Sequence, residues 1–87
     1  MARHDDWLRI YDSAPVSDID TRTAYRKERS YDGGATWESA PEMTGEHLRI
    51  EMTETLIADL TIGIRGGVVV MQSPHPRGGL IRYTPAR

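Results

Sequence analysis

The stretch Ser30-Tyr31-Asp32-Gly33-Gly34-Ala35-Thr36-Trp37 constrains the fold of this 87-residue chain more than any other. Gly33 and Gly34 tolerate positive φ without a Cβ clash, and β-favouring residues flank them, Thr23 and Tyr25 before and Thr36 and Trp37 after. An aspartate opening such a turn accepts hydrogen bonds from the amides that follow, which the turn would otherwise leave unpaired. The stretch therefore reads as a β-hairpin, with residues 22–29 as its first arm and residues 36–39 as its second, stopped by Pro41. On the first arm Thr23, Tyr25, Lys27 and Arg29 alternate with Arg22, Ala24, Arg26 and Glu28, and neither set is strongly apolar. One side of this arm is expected to face solvent, its charged run Arg26-Lys27-Glu28-Arg29 discouraging edge-to-edge pairing.

The segment after Thr44 decides the fold class. Leu48, Met52, Leu56 and Leu60 fall at helical spacing, and Thr44 can cap the helix ahead of Glu46 in the first turn. Against this, Leu48, Ile50 and Met52 alternate, as do Leu60, Ile62 and Ile64, which is the period of strands. Length and cap agree with the helical period, so a helix is expected over residues 45–60, with a strand then leading to Gly66-Gly67. Val68-Val69-Val70-Met71 is β-branched and bounded by glycines and by Ser73-Pro74, the pattern of a buried strand, and residues 80–84 are its partner. Between them, residues 73–79 form a connection stiffened by Pro74 and Pro76, which projects His75 and Arg77 from the sheet. Nearer the start, residues 7–11 read as a short strand ending at the turn formers of residues 12–15, and residues 16–20 as a polar connector with solvated acids. The expected fold is α+β, a single small domain over residues 1–87 in which an antiparallel sheet of two hairpins carries one helix on a face. An all-β fold is the alternative.

Ser30-x-Asp32-x-Gly34-x-Thr36-Trp37 resembles the Asp-box, the short hairpin repeated in the blades of sialidases and related propeller glycosidases. The resemblance covers eight residues and implies that Asp32 and Thr36 brace the turn with Gly34 while Trp37 packs beneath it; in those families the motif lies away from the catalytic pocket. The box occurs once here, and the chain is too short for the roughly four or more blades a propeller needs.

Composition narrows the chemistry. With no cysteine, disulfides and thiolate metal sites are excluded and a reducing compartment, the cytoplasm, is expected. No apolar run approaches the roughly 20 residues that span a bilayer, and the polar start Met1-Ala2-Arg3-His4-Asp5-Asp6 lacks the apolar segment of a signal peptide. Net charge is −2, with all thirteen carboxylates at or before Asp59 and only Arg65, Arg77, Arg82 and Arg87 charged after it. That balance disfavours a dedicated nucleic-acid binder. His4, His47 and His75 have no metal-ligand spacing, and neither Gly66-Gly67 nor Gly78-Gly79 belongs to a phosphate-cradling loop. No serine stands in a nucleophile elbow, and a carboxylate pair drawn freely from thirteen acids carries no weight.

Binding is accordingly the expected function, without cofactor, metal or catalytic residues. The reading is a non-enzymatic interaction protein whose partner is another protein, a second copy of the chain included, with His75, Arg77, Arg82, Arg26 and Tyr31 as contact residues. Its size is that of accessory proteins carried by phages and mobile elements, inhibitors of host defence among them. Two other classes stay open: a carbohydrate-associated module, from the Asp-box, and a weak nucleic-acid binder, from Tyr25 and Tyr31 beside the charged strand.

Overall fold

The computed structural model describes Val16 and residues 19–86. The strand expected at residues 7–11, the turn at 12–15 and the acid Asp18 lie outside the described residues, with His4 and Arg87. In chain order the elements are β1 (Ala24–Ser30), β2 (Glu38–Ser39), β3 (Met43–Thr44), α1 (Gly45–Ile57), β4 (Ile62–Arg65), β5 (Val68–Gln72) and β6 (Leu80–Pro85). The architecture is α+β: one helix packed with a six-stranded antiparallel sheet in the order β2–β1–β6–β5–β4, with β3 also paired to β1. The all-β alternative falls with the helix at residues 45–57. No helix among the described residues is long and apolar enough to cross a membrane.

Local chemistry accounts for most of these elements. Gly66 and Gly67, both at positive φ, join β4 to β5 as a two-residue hairpin turn, with Arg65 opposite Val68. Pro41, which has no N–H to give a ladder, lies in the interval between β2 and β3, while the Ala40 amide before it still donates to the Lys27 carbonyl at 2.8 Å. β2 and β3 thus lie along the same side of β1, Glu38 opposite Arg29 and Met43 opposite Tyr25.

The far side of β1 pairs with β6 over six residues, Tyr25 to Ser30 against Pro85 to Leu80. This corrects the expectation that the charged run protects a sheet edge, whereas the expected solvent-facing side is there in the exposed Ala24 and Arg26. β1 lies inside the sheet, with Tyr25 6 % and Lys27 3 % exposed. The register places Lys27 beside Tyr83 and Tyr83 beside Val69, so Tyr25, Lys27, Ile81, Tyr83, Val69, Met71 and Ile62 share the face that α1 covers. Leu48 and Met52 from the helix complete that core.

The helix departs from its expected form at both ends and along its seam. Thr44 occupies the N-cap position but its side chain makes no cap hydrogen bond. The first amides are instead satisfied by backbone: Gly45 N–H donates to the Thr23 carbonyl at 2.8 Å and Glu46 N–H to the Thr21 carbonyl at 3.1 Å. That approach needs glycine, because a β-carbon at residue 45 would overlap the Asp20 carbonyl oxygen. The helix stops at Ile57, before the expected Leu60, since Asp59 turns left-handed at φ 59°. Leu60 N–H reaches back to the Thr55 carbonyl and Asp59 N–H to the Leu56 carbonyl, both at 3.0 Å, closing a Schellman motif with aspartate where glycine is usual. The buried seam is Leu48, Glu51, Met52 and Thr55, whereas Leu56 is half-exposed. Thr55 sits there because its hydroxyl donates to the Gln72 carbonyl at 3.1 Å.

Two substitutions test these helix ends in opposite directions. Gly45→Ala should cost about 2 kcal/mol or more, because two backbone segments must part. Asp59→Gly should raise stability by about 0.5 to 1 kcal/mol by relieving the left-handed strain. Denaturant unfolding of both variants measures them, and a loss of stability in Asp59→Gly would refute the C-terminal assignment.

Candidate functional site

The two charged residues buried in the core, Lys27 and Glu51, meet there, with Tyr83 and two histidines gathered about the carboxylate. Glu51 is buried on the sheet-facing side of α1, and its Oε1 accepts from Lys27 Nζ at 2.7 Å and from the Tyr83 hydroxyl. His47, one turn earlier on the helix, brings Nε2 to 3.4 Å from the same oxygen and to 3.4 Å from Lys27 Nζ. The other oxygen, Oε2, faces His75 Nε2 at 3.7 Å. The helical i,i+4 spacing places His47 over Glu51, and the strand register sets Lys27 against Tyr83, whose ring centroid lies 5.7 Å from the ammonium. Both histidines are half-exposed, so the cluster runs from the core to the surface.

Burial pushes the Glu51 carboxyl up, but the hydrogen bonds from Lys27 and Tyr83 and the nearby positive charge outweigh it and hold the group below the usual carboxylate range. Burial also raises the Tyr83 hydroxyl, and its bond to the Glu51 carboxylate raises it further, so Tyr83 stays a neutral donor. Both shifts point away from neutrality, whereas a general acid or base works best with a pKa near the ambient pH. The Lys27 ammonium occupies the place a bound cation would take beside Glu51. Among the described residues no group of three or more His, Asp or Glu converges closely enough to hold a metal ion.

Beside His75 the cluster opens into a cleft of about 360 Å3 between the β5–β6 loop and the turn that follows β1. Its described lining includes Arg29, Tyr31, Ser73, His75, Pro76 and Arg77, and no carboxylate. The Arg77 guanidinium stacks on the Tyr31 ring at 4.0 Å. The loop is closed by Ser73 N–H to the Gly79 carbonyl at 3.0 Å and Gly78 N–H to the His75 carbonyl at 2.8 Å. Gly79 packs so tightly against the turn that a β-carbon would overlap the Ser30 carbonyl oxygen. A larger hollow, about 540 Å3, lies at the other end of β1, but its two charged lining residues, Asp20 and Arg22, are already 3.6 Å apart as a pair.

The turn from residue 31 to 37 is braced by side chains. Thr36 donates to Asp32 through its amide at 2.9 Å and its hydroxyl at 2.5 Å, Ser30 Oγ donates to Asp32 Oδ1 at 2.8 Å, and Gly34 N–H donates to Ser30 Oγ at 2.8 Å. The Thr36 bonds foremost, then Ser30, lower the Asp32 carboxyl to about 2. A β-carbon on Gly34, at φ 95°, would lie 3.7 Å from the Trp37 ring, which also carries the Arg82 guanidinium at 4.0 Å.

The structure therefore divides the expected contact residues. His75, Arg77 and Tyr31 meet in the cleft. Arg82 lies on the face away from the helix, its guanidinium bound to Glu28 at 2.9 Å, and Arg26 is exposed on that same face. Arg29, Ser73 and the whole set of Lys27, His47, Glu51 and Tyr83 are absent from the sequence reading of contacts. Two signals pointed to the latter: His47 and Glu51 stand one helical turn apart, and Lys27, the single lysine, alternates in phase with Tyr25.

Two measurements follow from this geometry. Lys27→Met alone should cost about 3 to 5 kcal/mol by leaving a buried carboxylate uncompensated, and the double variant Lys27→Met/Glu51→Met should recover most of that loss. Additive losses in a denaturant double-mutant cycle would show that the pair is not coupled. For pH, Asp32 ionises more readily folded than its ordinary value of 3.8, so its stabilising contribution is complete above about pH 4 and disappears as pH falls to about 2. Asp32→Asn should therefore flatten the fall of melting temperature across that window, and parallel curves for parent and variant would contradict it.

Compared with family models, with curated proteins and with solved structures, the chain matches none.

Proposed function

We propose that this protein is a non-enzymatic interaction module that grips an acidic group on a protein partner in the cleft beside the β5–β6 loop. The observation that carries this reading is the lining itself: two arginines, a histidine and a serine about one hollow, with no carboxylate among the described lining residues. Arg77 is held by Tyr31 and the loop by its own backbone bonds, so little conformational entropy is lost when a partner arrives. A planar guanidinium stacked on an aromatic ring still presents its N–H edge for a bidentate contact. Catalysis is disfavoured by the directions in which Glu51 and Tyr83 are shifted and by the burial of Lys27, whose nitrogen is engaged with Glu51. The partner is a protein rather than a nucleic acid because a net charge of −2 gives no broad basic surface to follow a phosphate backbone.

Affinity capture from the source cell, with the parent, Arg77→Ala and Arg65→Ala as baits, tests the reading. Arg65 is an exposed arginine on the distant β4–β5 hairpin, a charge-matched control. A protein held by the parent and by Arg65→Ala should be lost with Arg77→Ala, corresponding to roughly 2 kcal/mol of affinity, while melting temperatures stay equal. The same proteins captured by all three baits, or equal losses with both variants, would rule out the cleft as the contact.

A further inference from the structure

We infer that the group this cleft is built to hold is a phosphate monoester, carried as a phosphorylated side chain of the protein partner. The inference rests on the cleft being the contact surface and adds the chemistry of what enters it.

The donor count distinguishes the candidate anions. A single carboxylate has two oxygens with about four acceptor sites, two of which one bidentate arginine fills. Here Arg29 and Arg77 line the same 360 Å3 space, and His75 and Ser73 border it as well. Ser73 Oγ accepts from the His75 amide at 3.2 Å, which leaves its own hydroxyl proton free to donate outward. Two bidentate guanidiniums and the Ser73 hydroxyl offer about five hydrogens, more than those sites accept. A phosphate monoester offers three terminal oxygens and up to two negative charges, which match two forks and a third donor.

The arginines also arrive from separate, fixed supports. Arg29 stands on β1, directly opposite Ile81 of β6, and its charge reaches the Tyr83 hydroxyl. Arg77 stands on the loop and is stacked on Tyr31, which belongs to the turn braced by Asp32. Gly79 locks that loop to the turn through its contact with Ser30, with the Tyr31 ring 3.1 Å from where a β-carbon would stand. Neither guanidinium has a carboxylate within salt-bridge distance among the described residues, whereas Arg82 and Arg22 each have one. Arg26, Arg49 and Arg65 likewise lack one among the described residues, but Arg29 and Arg77 are the two that line a common hollow.

Titration with phenyl phosphate, followed by the amide resonances of Gly78 and Gly79, tests the chemistry, and benzoate serves as the carboxylate of matched shape. The parent should bind phenyl phosphate at least about tenfold more tightly than benzoate. Arg77→Ala should lose that preference, Arg29→Lys should lower it by keeping charge without the fork, and Arg65→Ala should leave it unchanged. A short peptide bearing one phosphoserine should compete with phenyl phosphate, and its unphosphorylated form should not; adenosine monophosphate competing better than the phosphopeptide would overturn the assignment of the phosphate to a protein side chain. Equal binding of benzoate and phenyl phosphate, or equal losses in Arg77→Ala and Arg65→Ala, would overturn the phosphate assignment. If that occurred while Arg77-dependent protein capture persisted, the interaction reading would stand and only its chemistry would fall.

Discussion

The buried pair of Lys27 and Glu51 is the interaction on which the arrangement of helix and sheet depends. An ammonium and a carboxylate taken out of water cost several kcal/mol each unless they meet in good geometry with their remaining bonding capacity filled. Here the 2.7 Å contact, the Tyr83 hydroxyl and the Nε2 of His47 supply those partners together. The pair spans β1 and α1, so the helix has little freedom to rotate or slide on the sheet. A turn of one residue about its axis would carry Glu51 away from Lys27 and leave both charges buried alone. Apolar contacts such as Leu48 and Met52 against Val69 and Met71 are far more forgiving of such a shift. The hydrophobic face holds the helix down, and the ion pair fixes where it lies.

The identity of the cation fits this role. Of eleven basic residues only Lys27 is lysine, and among the described residues it is the one with its charge in the core. A compact ammonium on a flexible stem can donate to Glu51 while resting near the Tyr83 ring, whereas a guanidinium would bring a wider plane and more donors than this space can satisfy.

What the sequence made legible was local. Gly33-Gly34, the Val68-to-Met71 run and the helical spacing from Leu48 to Met52 each act within a few residues, and all three appear as a turn, a buried strand and a helix. What it did not make legible was settled by tertiary partners. Lys27 in a charged run reads as a solvated residue because its partner, Glu51, is far along the chain and is brought near only by register. The helix N-terminus is satisfied by the carbonyls of Thr21 and Thr23 rather than by Thr44, and no local rule reveals that. Its end at Ile57 depends on Asp59 adopting a conformation that favours glycine. The expected contact residues divided for the same reason. His75, Arg77 and Tyr31 lie on neighbouring turns and come together, but strand parity sends Arg82 and Arg26 to the opposite face and brings in Arg29, which shares the phase of Lys27.

The cleft and the buried cluster meet at His75, and their different charge states bear on what the surface can select. Inside, Lys27 and Glu51 cancel, so the cluster projects little net field. In the cleft Arg29 and Arg77 are backed by the core through Ile81 and Leu80, and low-dielectric walls strengthen a positive potential at short range. The molecule as a whole is nevertheless acidic. Over distances beyond the screening length of about 8 Å at physiological salt, an approaching polyanion meets only the weak net repulsion, and it has no extended basic track to displace its counterions. An isolated anionic group presented on an otherwise ordinary surface meets the cleft at contact distance, where the local positive charge prevails. This distribution of charge is the ground for proposing one well-placed acid, rather than a chain of them, as what the surface selects.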